Sequence, residues 1–351
     1  MRQRIEWIDL VKASSVLLVV FMHASNTLVD VAGPSAVTTA LHQFNVLVEP
    51  LRMPIFFLVS GMLAASAIHR PWRATTNRTS GMLYLYVAWM VAYLGFITLL
   101  GASVTEPLSA ILFAKNGYWY LYAMVLFFVI ARLLRNQPAW VVVAVALIPN
   151  IARPLTDQFF EGLVPGALYT SMAMNLGFFL IGAYFKDLLG TVAARATLAH
   201  TAVLGLVAVI GGIVWLNTPS TIGQTYLYMS LIWVAFGISL AVQITRNGAP
   251  AWAGYVGART LPIYVWQWPA LFVVGEFLPA SVVSTLGAQL LFPLLFTAGV
   301  AGSALVLHRW PAMKHLFHAP GWTTSPQDLQ IPARIRARLE RPEPATVTVG
   351  R

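Results

Sequence analysis

Residues 8–30 read IDLVKASSVLLVVFMHASNTLVD, an apolar run with few charged side chains. As an α-helix, a run of this length rises ~34 Å, which is enough to cross the ~30 Å hydrocarbon core of a bilayer. The run is continuous and lacks the alternation of apolar and polar residues that a β-barrel strand requires. It therefore predicts a membrane-spanning helix.

The rest of the chain has the same apolar character. Of its 351 residues, 58% are hydrophobic and only 10% are charged, and the mean hydropathy is +0.72. A soluble domain carries roughly 25% charged residues, so a soluble globule is excluded. The chain contains no cysteine, which excludes disulfides, thiolate metal sites and an acyl-cysteine intermediate.

Ten apolar stretches of helical length follow one another along the chain. They cover residues 8–30, 44–68, 80–101, 118–135, 139–152, 167–186, 199–216, 224–245, 260–280 and 285–307. The fifth stretch is short and contains Pro149 and Asn150. The pattern predicts an all-α fold, a polytopic integral membrane bundle of about ten transmembrane helices.

The basic residues indicate how this bundle is oriented. With the N-terminus inside, eighteen lysines and arginines fall in cytoplasmic segments, and only Lys115 and Arg153 fall in outer loops. Because cytoplasmic loops retain positive charge, both termini are predicted to be cytoplasmic. This sorting, together with anionic lipid at the inner leaflet, accounts for the net charge of +10, so no nucleic-acid partner is implied.

The composition changes after His318, where proline, arginine, threonine and serine become frequent. Residues 319–351 contain too few apolar side chains to form a core, and we expect a disordered cytoplasmic tail. No fixed-period repeat or pair of matching broken helices is found. Residues 1–318 are therefore predicted to form one transmembrane domain.

Two ionisable residues, Lys12 and His23, lie within the first predicted helix. Their spacing of eleven residues corresponds to about 1100°, so the two side chains share one face at ~16 Å separation. A neutral imidazole can accept a proton from a hydroxyl, as a general base does. Alternatively, His23 is a hydrogen-bonding residue between helices and Lys12 extends to the interface.

The second predicted helix carries a further set of polar residues. Glu49 and Arg52 are three residues apart and can form an ion pair, and a structural role is the expected one. Ser60 is followed by Gly61, and small residues of this kind permit close approach of another helix.

The first predicted cytoplasmic loop contains Arg70, Arg73 and Arg78. Guanidinium groups match phosphate oxygens, so this cluster suits a phosphate-bearing ligand. The same charges are also explained by topology alone.

Aromatic and amide side chains mark two other helices. Trp119 lies between Tyr118 and Tyr120, and this composition predicts an aromatic belt at the outer interface, although stacked aromatics also suit a sugar. Gln267 lies in the ninth predicted helix, where a buried amide usually joins helices through hydrogen bonds.

Several segments together resemble the membrane acyltransferase 3 family, over residues 5 to about 310. In chain order they are the Lys12 and His23 spacing, RMPIFFLVSG at 52–61, YWYL at 118–121, NLGFFLIG at 175–182 and IYVWQ at 263–267. The resemblance implies a multi-pass protein of the bacterial inner membrane. It would move an acyl group, acetyl or succinyl, from cytoplasmic acyl-CoA to a hydroxyl of a glycan, lipid-linked sugar or metabolite.

The resemblance also implies roles for individual residues. His23 would be the catalytic base or a transient acyl carrier, Lys12 would orient His23 or the donor, and no metal would take part. Arg73 and Arg78, ahead of Arg70, would hold the CoA phosphates. The remaining candidates, as substrate or structural support, are Glu49, Arg52, Ser60, Trp119 and Gln267.

Gln267 is a departure from the family pattern. Members of the family often have a histidine here, and an amide cannot act as a base. Two other functional classes stay open from the residues alone. One is a proton-coupled transporter or flippase that uses Lys12, His23, Glu49 and Glu276, and the other is a noncatalytic membrane sensor.

Overall fold

The computed structural model describes residues 5–115, 117–163, 168–217 and 223–324, and these ranges contain helices and no strand. The α-helices are α1 (Glu6–Ala32), α2 (Ala36–Leu47), α3 (Glu49–Ala64), α4 (Ser80–Leu99), α5 (Pro107–Leu112), α6 (Trp119–Leu133), α7 (Ala139–Ile151), α8 (Arg153–Leu163), α9 (Tyr169–Tyr184), α10 (Lys186–Ala194), α11 (Leu198–Leu216), α12 (Gly223–Thr245), α13 (Ala251–Gly257), α14 (Thr260–Phe277), α15 (Leu286–Leu307), α16 (Lys314–Phe317) and α17 (Gly321–Thr324). Short 3-10 helices cover Trp72–Arg78, Leu134–Asn136, Ala280–Val283 and Pro311–Met313.

Six of the described helical segments are individually long and apolar enough to cross a membrane. They are Glu6–Ala32, Trp72–Leu99, Trp119–Asn136, Leu198–Leu216, Tyr226–Thr245 and Leu286–Leu307. Three further helix pairs are bent by 41° (α2 and α3), 81° (α7 and α8) and 80° (α9 and α10), which gives up to nine spans if each pair is one. The predicted all-α polytopic fold is confirmed, whereas the count of ten and the cytoplasmic termini stay predictions.

The second predicted stretch, residues 44–68, is not one continuous helix. The chain bends by 41° between α2 and α3, and Pro50 lies in the first turn of α3. A proline has no backbone N–H to donate, so it suits the start of a helix and ends the hydrogen-bond ladder of the preceding one. The stretch therefore forms two helices, α2 and α3, instead of one.

The centre of the bundle is the contact between α3 and α9. A Cβ atom on Gly61 would lie 2.0 Å from the backbone oxygen of Phe179, and one on Gly182 would lie 1.9 Å from the backbone oxygen of Leu58. The close helix approach predicted at Ser60 and Gly61 is therefore confirmed. Helix α1 also packs against α3, and it contacts α12, α13, α14 and α15 as well.

The segment before α6 lies inside the bundle. Ala114 and Tyr118 are fully buried, and the Tyr118 hydroxyl donates to the backbone oxygen of Val265 at 3.1 Å. The predicted aromatic belt at the outer interface is thus wrong for Tyr118, which is a core residue. Gly117 allows this segment to pack closely against Trp268 of α14, because a Cβ atom on Gly117 would lie 1.7 Å from the Trp268 ring.

Helix α17 falls within the segment predicted to be a disordered tail. The Ser80 hydroxyl donates to the backbone oxygen of Thr323 at 2.5 Å, so the chain packs against α4 as far as α17. The rest of the predicted tail, residues 325–351, lies outside the described residues.

Candidate active site

A cavity of about 150 Å³ lies between α1, α3, α4, α6 and α14. Its lining is mostly apolar, with hydroxyl groups contributed by a few side chains. The lining residues are Ser15, Val16, Val19, Met53, Phe56, Met82, Tyr120, Leu121, Thr260, Leu261 and Tyr264. An apolar space with a few polar groups is typical of a small-molecule site.

The cavity occupies one face of α1. Ser15, Val16 and Val19 line it, and they lie between Lys12 and His23 along the helix. Lys12, Val19 and His23 fall on one face at helical spacing, so Lys12 lies about one turn before the cavity and His23 about one turn beyond it, ~16 Å apart, although neither lines it. We call the two sides of the cavity the Lys12 end and the His23 end. The two residues are therefore on the same stripe, but the structure does not bring them into contact.

The His23 end is formed by two aromatic rings. His23 and Trp268 have ring centroids 4.6 Å apart, with the ring planes inclined at 59°. His23 lies four residues, about one helical turn, beyond Val19 on α1, and Trp268 lies four residues beyond Tyr264 on α14. Val19 and Tyr264 both line the cavity. The contact therefore lies one turn beyond the cavity, where α1 packs against α14.

The His23 side chain is partly buried and has no hydrogen-bond partner among the described residues. An interhelical hydrogen bond, the alternative role predicted for His23, is therefore not found within the described residues. An imidazole in this position can accept a proton from a group that enters the cavity.

Arg52 lies near the His23 end and does not pair with Glu49. It is buried, with 5% of its surface exposed, and its Nη1 donates to Oδ1 of Asn45 at 3.3 Å. Glu49 attracts the guanidinium electrostatically, but its own side chain is exposed and makes no direct ion pair with it. The predicted ion pair is wrong because Arg52 is buried in the bundle, where it bonds to the Asn45 amide, whereas the Glu49 side chain is exposed.

The Lys12 end contains an ion pair that was not predicted from the sequence. Lys12 Nζ lies 3.5 Å from Oδ1 of Asp9, a buried carboxylate one turn earlier on α1. The spacing of three residues on a helix is the signal that could have identified the pair.

The loop arginines differ in their relation to the cavity. Arg78 donates through Nη2 to the backbone oxygen of Leu63 at 2.9 Å and interacts electrostatically with Tyr120, which lines the cavity. Tyr120 Oη also lies 3.3 Å from Ser60 Oγ. Arg73 is half-buried and Arg70 is exposed, so Arg78 is the member of the cluster nearest the cavity wall.

Arg132 holds this loop against α6. It is 4% exposed, its guanidinium lies 4.1 Å from the centre of the Trp72 ring, and it donates to the backbone oxygens of Ala67 and Arg70. In the sequence, Arg132 is one of the eighteen basic residues of the predicted cytoplasmic segments. Its position in the last turn of α6 gives no indication of these long-range contacts.

The two remaining candidates have packing roles in the structure. Trp119 lies 5.9 Å, centroid to centroid, from the buried Phe57 ring and does not line the cavity. Gln267 is fully buried, and its Nε2 donates to the backbone oxygen of Tyr264 at 3.0 Å, within its own helix. Among the described residues no group of three histidines or carboxylates could hold a metal ion.

The fold defines a multi-pass membrane protein with a mostly apolar cavity between its helices. The family model Acyl_transf_3, described as an acyltransferase domain, matches residues 5–308, so the chain belongs to this family of membrane acyltransferases. The predicted resemblance is thereby confirmed.

Among curated proteins, the chain is similar to the inner membrane protein YcfT of Escherichia coli (strain K12). The two are 23% identical over 303 residues, which cover 75% of this chain and 79% of the relative. No solved structure matches the chain.

Proposed function

We propose that this protein transfers an acyl group from cytoplasmic acyl-CoA to a hydroxyl of a glycan, lipid-linked sugar or other metabolite. The observation that carries the proposal is the cavity along α1, which lies between Lys12 and His23, together with the His23 imidazole, which has no hydrogen-bond partner among the described residues. The inner-membrane relative supports a location in the bacterial inner membrane.

The donor would enter from the Lys12 end. Arg78 beside the cavity wall, with Arg73 and Arg70 on the same loop, offers guanidinium groups for CoA phosphates. The pantetheine arm is comparable in length to the ~16 Å between Lys12 and His23, so its thioester would reach the imidazole. A cavity of about 150 Å³ favours a short acyl group such as acetyl or succinyl over a long fatty chain.

Lys12 would act on the donor rather than on His23. Its ammonium group is paired with Asp9 at the far end of the cavity, too distant to orient the imidazole. The Lys12 and Asp9 pair therefore suits the polar part of the donor.

His23 would serve as the general base. The acceptor oxygen bonds to the thioester carbonyl carbon while its proton passes to an imidazole nitrogen. The carbon–sulfur bond then breaks, the acyl group stays on the acceptor oxygen, and the CoA sulfur takes the proton from the imidazolium. The apolar lining limits access of water, which would otherwise compete as acceptor.

The reaction is tested by incubating the purified protein in nanodiscs with acetyl-CoA or succinyl-CoA and an envelope glycan and lipid extract. Because the chain has no cysteine, a thiol reagent reports released CoA without a background from the protein. We expect CoA release that depends on the extract, with an added acetyl or succinyl mass on one of its components. CoA release without any acylated product, or no release with either donor, would count against the proposal.

A further inference from the structure

Arg52 is a buried cation without a carboxylate partner among the described residues. Its side chain is 5% exposed, and its hydrogen bond goes to the neutral amide of Asn45. A buried charge costs several kcal/mol unless an opposite charge or a set of hydrogen bonds compensates it. The exposed Glu49 carboxylate supplies only longer-range attraction. The Arg52 site is therefore built to accept a negative charge.

The packing of α1, α2 and α3 places this cation at the His23 end of the cavity. Phe56, which lines the cavity, lies one turn of α3 from Arg52. The rings of Phe21 on α1 and Phe44 on α2 are in contact, with centroids 5.8 Å apart. In sequence, Phe21 comes two residues before His23, and Phe44 immediately precedes Asn45. Arg52 also interacts electrostatically with the imidazole.

Two more hydrogen-bond donors at this end have no acceptor among the described residues. They are Nδ2 of Asn45 and Nε1 of Trp268, both of which are buried. Buried donors without partners are rare in native proteins, and a bound ligand is one way to satisfy them. Trp268 is in ring contact with His23, and Asn45 is bonded to Arg52, so both donors belong to residues at this end. Together with the guanidinium, such donors suit an oxygen that carries negative charge.

We propose that Arg52, held by Asn45, is a catalytic residue that stabilises the negative oxygen formed when the acyl thioester is attacked beside His23. The inference rests on the proposed function. As the acceptor oxygen bonds to the carbonyl carbon, the C=O π electrons move onto the carbonyl oxygen, which faces the guanidinium. When the carbon–sulfur bond breaks, the carbonyl re-forms and the charge leaves with the CoA sulfur, which takes the proton held by His23. A hydrogen-bond donor such as the Arg52 guanidinium stabilises a negative oxygen most strongly in a buried site of low polarity.

Binding of one CoA thioether, carboxymethyl-CoA, and one CoA thioester, acetyl-CoA, tests this role without knowledge of the acceptor. Carboxymethyl-CoA carries a carboxylate one methylene away from the sulfur, close to the place where acetyl-CoA carries its neutral carbonyl. We expect the wild-type protein in nanodiscs to bind carboxymethyl-CoA more tightly than acetyl-CoA. Arg52→Gln should weaken carboxymethyl-CoA binding by about ten- to hundredfold and leave acetyl-CoA binding unchanged.

Two further variants keep the test independent of protein folding. Asn45→Asp places a carboxylate beside the guanidinium and should remove the preference for carboxymethyl-CoA while the protein stays folded, because the buried charge is then paired. Arg246→Gln removes an exposed arginine at the end of α12 and should leave the preference unchanged.

Each remaining outcome would decide against one of the two proposals. Equal wild-type affinity for the two ligands, or equal weakening of both by Arg52→Gln, would overturn the role of Arg52 alone. The same would follow if Arg52→Gln weakened succinyl-CoA as much as carboxymethyl-CoA, because Arg52 would then bind a carboxylate of the donor itself. Absence of any acetyl-CoA and succinyl-CoA binding by the wild-type protein would instead overturn the proposed function.

Discussion

His23 and Trp268 are in ring contact at 4.6 Å, and this contact joins α1 to α14 at one end of the cavity. Trp268 in turn lies against the backbone of Gly117, where no side chain intervenes. The position of the imidazole thus depends on a segment that is distant in sequence and precedes α6. The first prediction follows from this dependence.

Replacing Gly117 by alanine should displace Trp268. The new Cβ atom would overlap the indole ring, and a misplacement of ~1 Å at a reacting group can lower a rate by about a hundredfold. We expect Gly117→Ala to slow CoA release by more than tenfold while acetyl-CoA binding is retained. Gly95→Ala is the matched control, since a Cβ atom there meets no other atom within 4 Å. An unchanged rate in Gly117→Ala would show that Trp268 does not position His23.

The contact between α3 and α9 should determine stability. Gly61→Ala and Gly182→Ala each place a Cβ atom about 2 Å from a backbone oxygen of the other helix, and neither backbone can move without separating the helices. Overpacking of this kind costs roughly 1–3 kcal/mol. Thermal unfolding in detergent should show a lower midpoint for both variants, whereas Gly190→Ala, which has open space at its Cβ, should match the wild type. Wild-type midpoints for both variants would contradict the packing described.

The three loop arginines should differ in their effect on the donor. Arg78 lies beside Tyr120 at the cavity wall, whereas Arg70 is exposed. Loss of one charge-assisted contact of about 1.5–3 kcal/mol corresponds to a roughly ten- to hundredfold loss of affinity. Titration with acetyl-CoA should therefore show a larger loss for Arg78→Ala than for Arg70→Ala. Undiminished affinity in all single variants would leave these arginines with a topological role only.

Arg132 should act on the donor through the loop. Arg132→Gln removes the guanidinium that lies over Trp72 and donates to the backbone of Ala67 and Arg70. We expect faster tryptic cleavage after Arg73 and a several-fold rise in the KM for acetyl-CoA, with kcat little changed. The control is Arg195→Gln, which removes an exposed arginine elsewhere. If Arg132→Gln gave wild-type cleavage and KM, the loop would be held by other contacts.

Helical periodicity was sufficient to predict the arrangement on α1. Lys12 and His23 share a face because α1 is a continuous helix, so the angle between any two of its residues follows from their spacing. The close approach at Gly61 was predicted for a similar local reason. Such predictions succeed when one unbroken helix carries all the residues concerned.

The contacts of Arg52 could not be predicted in this way. Helical spacing allows Arg52 to pair with Glu49, but Arg52 is buried and bonded to Asn45, whereas Glu49 is exposed. The burial of Tyr118 likewise results from packing against α14, which is more than a hundred residues away in sequence. Bends and long-range packing depend on the whole bundle, and the composition of a segment does not specify them.

The central claim is that His23 accepts the proton of the acceptor. His23→Gln keeps a polar side chain that forms hydrogen bonds but cannot take up a proton, and general-base catalysis contributes about 10²–10⁴-fold to a rate. The most direct measurement is CoA release by His23→Gln in nanodiscs, with acetyl-CoA and the envelope extract, alongside acetyl-CoA binding. We predict unchanged binding and a rate at least about a hundredfold lower. Wild-type release by His23→Gln would contradict the claim and make His23 a structural residue.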